Sequence, residues 1–425
     1  METALGVAVF IVILVVSVAW HELGHLIPAK AFKVPVAQYM VGFGPTIWSK
    51  KFGETEYGAK WILLGGYIRM VGMYSPKRSR RAAKSGWRRN LADAARESAR
   101  EELAAAPPGP GMKAFFRLSA PRKVTIMLGG PTMNLILALV FTAVAISLVG
   151  GYATTTTVGS VSQCVAVRGA DFDECPEGQA PGPAAQAGVL PGDRVVGWDG
   201  KDVATWDDVL AAVSASGEAP ATLSLERAGR RLELLVKPVT TTEEGGTRPV
   251  VGISSQLELV TRPAWEAPAV VWSQVTASAK LYASLPVSVW NTLADMVQGK
   301  ERSANSPLSM VGVARLSGQV ASQDFVEGVD HPWRLRVAAW LQLGAAVNIA
   351  LWLFNLLPLL PLDGGHVANA LFEGGRRTWA RWRGRPDPGP ADSARLMPLT
   401  YLVVGLLVLM TVILIAADVF SPIQM

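Results

Sequence analysis

The sequence predicts a polytopic α-helical membrane protein with four transmembrane helices, a membrane-associated β-hairpin region and one extracytoplasmic α/β domain. Half of the 425 residues are hydrophobic and only 17% are charged, which is typical of an integral membrane protein that carries a soluble part. Several apolar runs are long enough to cross a bilayer core as helices. The charged residues between these runs are segregated by sign, which is the second observation that predicts this architecture.

The segregation of charge predicts the orientation in the membrane. Residues 27–124 contain 19 Lys and Arg against 6 Asp and Glu, whereas residues 152–262 contain 9 against 15. Because positive loops stay in the cytoplasm, the first segment is expected inside and the second outside. We therefore expect a multi-pass protein of the inner (plasma) membrane with both termini extracytoplasmic. Its net charge of +6 does not indicate nucleic-acid binding.

Residues 1–73 contain the first predicted helix and the hairpin region. Residues 4–27 are almost wholly apolar, and Pro28 is expected to end the helix. A signal peptide is the alternative for an N-terminal apolar run, but no basic segment precedes it and no small-residue cleavage site follows it. We expect a span that runs from outside to inside, with its last turns near the cytoplasmic side.

The last turns of this helix carry the sequence Trp20-His21-Glu22-Leu23-Gly24-His25. Histidines four residues apart share one face of a helix, so both imidazoles can bind one metal ion. Glu22 lies beside them, where it can act as a general base on a water molecule at the metal. A chance match to so short a pattern is the alternative, but the cost of ionisable side chains inside a membrane favours a functional site.

Residues 35–73 are expected to form short strands and hairpins, because aromatic and β-branched residues alternate there with Gly and polar residues. Two glycine-containing stretches stand out, one with Gly42 and Gly44 and the other with Gly65 and Gly66. The region is too short and too glycine-rich to span a bilayer, and it could dip into the membrane only where protein buries its backbone. An exposed edge could receive an extended peptide as an added strand. An ordinary cytoplasmic hairpin is the alternative.

Residues 74–112 form a basic cytoplasmic insertion to which we assign no chemistry. The middle of this insertion, about residues 82–105, is compatible with a basic surface helix on anionic lipid. A solvated, partly disordered segment is the alternative.

Residues 113–150 contain the second span, at residues 124–149. Near its start, Asn134 follows Gly129-Gly130-Pro131. The glycines permit close packing of helices. An amide in hydrocarbon needs a hydrogen-bonding partner, which either a neighbouring helix or a bound substrate can supply.

Residues 155–258 are expected to form a compact α/β domain. The predicted strands are 157–165, 194–198, 221–227 and 231–238. Thr205, followed three residues later by Asp208, is typical of the start of a capped helix. Cys164 and Cys175, the two cysteines of the chain, both fall outside the membrane, where an oxidising compartment would allow them to pair. The sequence leaves that pairing open.

Residues 263–330 are amphipathic and rich in Trp and Ala, and we expect helices on the outer membrane surface. Residues 331–425 contain the third span, at 337–357, and the fourth, at 398–417. The segment between them, residues 364–396, has six arginines and three acids, which again indicates the cytoplasm.

A catalytic zinc site needs three protein ligands and one open position. Asp363 is the candidate third ligand, because it follows the third span at the same depth as His21 and His25. His366 is a rival ligand, or else a residue that supports the ligands or lies in the cytoplasm. Asn355, in the helix eight residues before Asp363, is placed either to hydrogen-bond a peptide backbone or to join helices.

Two resemblances follow from these motifs. The stretch Pro183-Ala-Ala-Gln-Ala-Gly-Val-Leu-Pro-Gly-Asp-Arg-Val-Val, continuing to Asp199-Gly200-Lys201, resembles a PDZ domain of the bacterial protease type. Most of the chain resembles the site-2 protease family of intramembrane zinc proteases, in a form with a single PDZ domain. Its bacterial branch includes the protease that cuts anti-sigma factors in the sigma-E envelope-stress pathway. Residues 74–112 have no counterpart that we can place.

The resemblance implies one zinc ion per chain, bound by His21, His25 and Asp363, with Glu22 as the base. It also implies that Asn134 and Asn355 lie near the substrate. The hairpin, with Gly42, Gly44, Gly65 and Gly66, would present that substrate. The expected substrate is a single-pass transmembrane protein such as an anti-sigma factor, already cut by an upstream site-1 protease.

Two other functions compete with this prediction. One is a membrane zinc protease whose third ligand is a Glu on a later helix, but the later spans contain no such Glu. The other is a PDZ-bearing membrane scaffold or chaperone with an inactive metal site. The presence of Glu22 argues against a scaffold.

Overall fold

A computed structural model describes residues 2–76, 87–105, 112–164, 182–243, 246–298, 300, 306–322 and 332–421. The chain forms two compact units. The first comprises Met1–Val149, Pro263–Gln323 and Arg336–Met425, and the second comprises Gly150–Arg262 and Asp324–Leu335.

Four helices in the described chain are long and apolar enough to cross a membrane. They are α1 (Glu2–Ala31), α3 (Ala120–Val144, extended by a π-helical turn at Ala145–Val149), α8 (Pro332–Asn355) and α10 (Met397–Phe420). This number agrees with the four predicted spans.

Helix α1 continues past the point at which it was predicted to end. Pro28 lies inside the helix, which ends at Ala31. Proline cannot donate the hydrogen bond that the carbonyl group of Gly24 would accept. That carbonyl group packs against Gly129 of α3, where an added Cβ would lie 2.0 Å from its oxygen. Packing by a neighbouring helix is how membrane helices tolerate such a break.

The hairpin region forms two long strands rather than the predicted short ones. They are β1 (Val36–Phe52) and β2 (Thr55–Met70). Residues 38–41 pair both with residues 56–59 and with residues 66–69. Residues 38–41 therefore lie in the middle of a small sheet, and the end of β2 forms one of its edges.

Glycines explain why the strands are longer than predicted. Gly42 and Gly44 have φ angles of 95° and 82°, a conformation that glycine adopts without strain. The chain bends at these residues within a continuous strand. The glycines thus mark bends, whereas the sequence pattern suggested strand ends.

Part of the basic insertion is a helix, α2 (Trp87–Ala105), that packs on the rest of the first unit. Arg96 of α2 is buried. Its guanidinium group contacts Asp93 at 2.7 Å and Asp392 at 2.8 Å. Of the two possibilities left open by the sequence, a helix therefore describes this part of the insertion, and the helix rests on protein.

Helices α6 (Ala267–Gln298) and α7 (Met310–Ser322) follow in the stretch predicted to lie on the outer membrane surface. Val271 of α6 packs with Ala138 of α3 and Ile349 of α8, which lie within candidate spans. This part of α6 therefore packs on two of the candidate spans, and the position of the segment on the outer membrane surface stays a prediction. Polar residues at the other positions of α6 lower its mean hydropathy, so its apolar face does not show as a long apolar run in the sequence.

The second unit contains a six-stranded sheet with strand order β10-β3-β4-β6-β7, in which β5 pairs with β4. These strands are β3 (Gly151–Val161), β4 (Arg194–Trp198), β5 (Lys201–Asp202), β6 (Ala221–Arg227), β7 (Arg230–Val236) and β10 (Ile253–Val260). A separate hairpin joins β8 (Val239–Glu243) to β9 (Gly246–Val250). Among the described residues within 182–260, two helices accompany these strands, α4 (Pro183–Gln186) and α5 (Trp206–Ser216).

The predicted elements of this unit occur at or close to their expected positions. The strands predicted at 194–198 and 221–227 coincide with β4 and β6, while β3 ends at Val161 rather than at residue 165. Thr205 and Asp208 form the expected capping box at the start of α5. Cys164 is disulfide-bonded, and Cys175 lies outside the described residues.

Candidate metal centre

His21, Glu22 and His25 lie in the last third of α1, and all three are buried. Helical spacing places the two imidazoles on one face. Their Nε2 atoms are 3.1 Å apart, and the ring centroids are 4.8 Å apart with the planes nearly perpendicular. Two Nε2 atoms that meet in this way can share one metal ion.

Asp363 brings a carboxylate to the same point. Helix α8 ends at Asn355, and residues 356–362 lead to α9 (Asp363–Trp382), of which Asp363 is the first residue. Its Oδ2 atom lies 3.2 Å from Nε2 of His21 and 3.3 Å from Nε2 of His25. This oxygen is buried and makes no hydrogen bond, which is costly unless a cation balances it.

The charge state of Asp363 suits a metal ligand. Burial raises the pKa of its carboxyl group, whereas positive charge on the neighbouring His25 and His21 lowers that pKa below its ordinary value. A bound metal ion would supply the positive charge when the two imidazoles are neutral, and would favour the carboxylate in the same way. A carboxylate and two imidazoles are ligands that zinc prefers.

The distances among the three ligand atoms fit zinc. With zinc–ligand bonds of about 2.0–2.1 Å, neighbouring ligands of a tetrahedral site lie about 3.3 Å apart. The three observed separations are 3.1, 3.2 and 3.3 Å. The three residues leave the fourth tetrahedral position to water or substrate, as catalysis requires.

His366, the rival ligand, lies one turn further along α9 and is not part of this cluster. It lines a small cavity together with Lys123 and Glu373. Burial lowers the pKa of its imidazole.

A backbone carbonyl group orients His25. Nδ1 of His25 lies 2.8 Å from the carbonyl oxygen of Ile126 in α3. Because a carbonyl oxygen can only accept, Nδ1 carries the proton, and the lone pair is on Nε2. This is the tautomer that a metal ligand needs.

Asn134 of α3 meets the other imidazole. Its Nδ2 atom lies 3.1 Å from Nδ1 of His21, while its Oδ1 atom is buried without a partner. Flipping the amide by 180° exchanges these atoms and lets Oδ1 accept a hydrogen bond from Nδ1–H. Both imidazoles then present Nε2 to the metal position. Asn134 is fully buried, and its observed contact is with His21.

Gly130 forms the wall of the site on the α3 side. A Cβ atom at this position would lie 2.2 Å from Nε2 of His25 and 2.7 Å from Nε2 of His21. Only glycine leaves room for the ligand atoms there. Gly129 and Gly130 were predicted only to permit close packing of helices, although the run Gly129-Gly130-Pro131 was the sequence signal for this second role of Gly130.

The hairpin lies against Glu22. A Cβ atom on Gly66 would lie 3.0 Å from Cγ of Glu22 and 2.8 Å from Val18. The backbone N–H group of Ile68 interacts with the Glu22 carboxylate. The structure therefore brings the end of β2 next to the predicted base.

The other residues predicted to bind substrate are not part of the ligand cluster. Gly42 and Gly44 lie at the bends of β1, and Gly65 packs against Phe43 within the sheet. Asn355 is the last residue of α8 and is half-buried.

Comparison with known proteins decides the family. Residues 9–384 match the family described as peptidase family M50. The chain belongs to this family, the site-2 proteases. Zinc metalloprotease Rip1 of Mycobacterium tuberculosis is 33% identical over 442 residues, with 99% of this chain and 98% of the relative covered. Rip1 of Mycolicibacterium smegmatis is 30% identical over 445 residues, covering 100% and 99%. Metalloprotease MmpA of Caulobacter vibrioides is 27% identical over 381 residues, covering 85% and 84%.

Membership of family M50 confirms the resemblance inferred from the motifs. With its four candidate spans and its donor set, this M50 protein is a multi-pass, membrane-embedded zinc metalloprotease. The predictions of an enzyme and of a zinc cofactor are thereby confirmed.

Proposed function

We propose that this protease binds one zinc ion through His21, His25 and Asp363 and uses Glu22 to cleave transmembrane segments of single-pass membrane proteins. One observation carries the proposal. The three ligand atoms, from α1 and α9, lie 3.1–3.3 Å from one another beside the buried carboxylate of Glu22. The two histidines belong to a helix that is long and apolar enough to span a bilayer.

The chain's own residues have distinct tasks in this proposal. Zinc, when bound, supplies Lewis acidity toward water and a peptide carbonyl group. Glu22 takes a proton from the attacking water on its carboxylate and returns it to the leaving amide nitrogen. The carbonyl group of Ile126 and the side chain of Asn134 hold the two imidazoles in the ligating tautomer.

The substrate has to unwind before it can be cut, because a transmembrane helix hides its carbonyl groups in internal hydrogen bonds. The end of β2 would hold the unwound segment. It is a sheet edge beside Glu22, with Gly66 against the base. An extended substrate that pairs with this edge would have its backbone hydrogen bonds satisfied. We assign Gly42, Gly44 and Gly65 to shaping this sheet, and Asn355 to the substrate's path.

The second unit is proposed to be an extracytoplasmic PDZ domain. Its sequence motif, its sheet and the helices α4 and α5 support this assignment. A PDZ domain outside the membrane would exclude substrates that still carry a bulky outer domain. The enzyme would then make the second cut of regulated intramembrane proteolysis, after a site-1 protease has trimmed a substrate such as an anti-sigma factor.

The charge pattern supports one orientation in the inner (plasma) membrane. The basic segments 27–124 and 364–396 would face the cytoplasm, and both termini would lie outside. The metal site would then lie near the cytoplasmic side of the bilayer.

The test is cleavage of a purified single-span peptide in detergent or liposomes by the wild-type protein and by Glu22→Gln. We expect cleavage by the wild type, blocked by a zinc chelator, and none by Glu22→Gln with zinc still bound. Cleavage by Glu22→Gln at the wild-type rate would remove the proposed role of the base.

A further inference from the structure

A buried hydrogen bond joins α1 to α8 at some distance from the ligands. Nδ2 of Asn348 donates to Oγ of Ser17 at 2.8 Å. Both side chains are fully buried. Each lies within a candidate span, so the contact is made in the apolar part of the molecule.

Ser17 lies on the face of α1 that binds the metal. It precedes His21 by four residues, which places both side chains on one face, about 6 Å apart along the helix axis. Helix α8 therefore contacts α1 one turn away from the first ligand, on the same face.

Burying the Asn348 amide costs free energy, because only part of its hydrogen-bonding capacity is used. The second N–H of the Asn348 amide donates to the carbonyl oxygen of Gly344, and Oδ1 is buried without a hydrogen bond. The surroundings on α1 are apolar, with Leu14 and Val18 packed near Val347. An apolar side chain at this position would avoid the unsatisfied oxygen, so the amide suggests a requirement for a defined position.

The position of α8 matters because the chain passes from α8 into α9, the helix whose first residue is the third ligand. The chain leaves α8 at Asn355 and reaches Asp363 through residues 356–362. The carboxylate Oδ2 of Asp363 makes no hydrogen bond of its own. Its distance from the histidines therefore depends on how α8 and α9 are placed against α1 and α3.

We infer that Asn348, acting through Ser17, is a positioning residue that fixes α8 on α1 and so sets Asp363 at ligating distance from His21 and His25. The inference rests on the proposed function of these three residues as the zinc ligands. Gly344 supports it, because an added Cβ there would lie 2.9 Å from Phe141. Helix α8 thus approaches its neighbours closely just where Asn348 is anchored.

The chain offers a matched control on the same helix. Gln342 of α8 accepts a hydrogen bond from Gln274 of α6 at 3.0 Å. This is also an amide contact between helices, but it joins α8 to α6 and not to the helix with the histidines. If Asn348 had only a general stabilising role, loss of either contact would change zinc affinity to the same extent.

The experiment compares Asn348→Leu with Gln342→Leu, and Ser17→Val with Ser17→Thr, in the full-length protein. Val and Thr have the same shape, so their difference isolates the hydroxyl group. For each variant, one measures the zinc dissociation constant against a chelator, the thermal stability without zinc, and kcat and KM with a single-span peptide.

We expect Asn348→Leu and Ser17→Val to weaken zinc binding by about tenfold or more and to lower kcat with little change in KM. Ser17→Thr and Gln342→Leu should bind zinc as the wild type does. Wild-type zinc affinity in Ser17→Val and Asn348→Leu would overturn the inference, even with an active enzyme. Should Asn348→Leu fail to fold, the comparison of Ser17→Val with Ser17→Thr still tests the inference.

Failure of the proposed function would look different. In that case the wild type itself would not cleave, or it would bind no zinc.

Discussion

Nε2 of His21 lies 3.2 Å from Oδ2 of Asp363, although the two residues belong to opposite ends of the chain. One is fixed by α1 and the other by the start of α9. The site is therefore a product of helix packing, and substitutions that move a helix face should be detectable as changes in zinc affinity.

The first prediction concerns the wall of the site. Gly130→Ala should abolish zinc binding, because the added methyl group would lie 2.2 Å from Nε2 of His25. The measurement is zinc per chain after dialysis. Gly405→Ala is the control, since an added Cβ at that membrane-helix position meets no atom within 4 Å. A full zinc complement in Gly130→Ala would contradict the geometry.

The second prediction concerns the tautomer of His21. Asn134→Leu leaves Nδ1–H of His21 without an acceptor and should weaken zinc binding by about 10–100-fold. Asn134→Asp keeps an acceptor and should bind zinc nearly as the wild type does. The measurement is a chelator competition on purified protein. Equal affinity of the Leu variant and the wild type would show that Asn134 does not orient His21.

The third prediction concerns a buried ion pair that joins α3 to α9. Lys123 contacts both carboxylate oxygens of Glu373 at 2.8–2.9 Å, and both residues are buried. Lys123→Met removes this partner but leaves Glu373 in contact with Arg377 at 3.2 Å and with the N–H group of Ala391 at 3.0 Å. The loss should therefore be about 1–3 kcal/mol of the free energy of unfolding. The measurement is unfolding in mixed micelles.

The control for this pair is Arg100→Gln, which breaks the exposed contact of Arg100 with Glu97. Exposed pairs contribute about 0–1 kcal/mol, so this variant should unfold like the wild type. Equal losses in Lys123→Met and Arg100→Gln would mean that burial of the first pair is not what matters.

The fourth prediction is a pH dependence in the second unit. Hydrogen bonds from Arg227, at 2.7 Å, hold the pKa of Asp193 below its ordinary value of 3.8, against the opposing effect of burial. The folded state thus prefers the carboxylate. The resulting stability is complete above pH 3.8 and is lost as the pH falls below 3.8 through the lowered folded pKa.

Hydrogen exchange of residues 182–236 in the full-length protein tests this dependence. Wild type should be better protected than Asp193→Asn near pH 7, and the difference should shrink below pH 3.8. Comparison at each pH cancels the intrinsic exchange rate. Asp202→Asn, at a mostly exposed carboxylate, is the control. A difference that does not change with pH would contradict the linkage.

Local chemistry explains what the sequence could predict about the site. His21, Glu22 and His25 follow from helical spacing within one apolar run, and Asp363 follows from a motif at the same predicted depth. These residues can be recognised in the sequence because ionisable groups are unusual in or beside membrane spans.

What the sequence could not predict depends on which helix faces meet. Gly130 and Ile126 contribute to the site only because α3 packs on the histidine face of α1. The link between Asn348 and Ser17 likewise joins residues that no local pattern connects. The docking of α2 through Arg96 depends on Asp392, which lies far along the chain.

The most direct test of the central claim is the zinc content of Asp363→Ala beside that of Glu22→Gln, purified and dialysed together. We predict about one zinc per chain in Glu22→Gln, because the base is not a ligand, and almost none in Asp363→Ala. One tightly bound zinc in Asp363→Ala, equal to that in Glu22→Gln, would contradict the assignment of Asp363 as the third ligand.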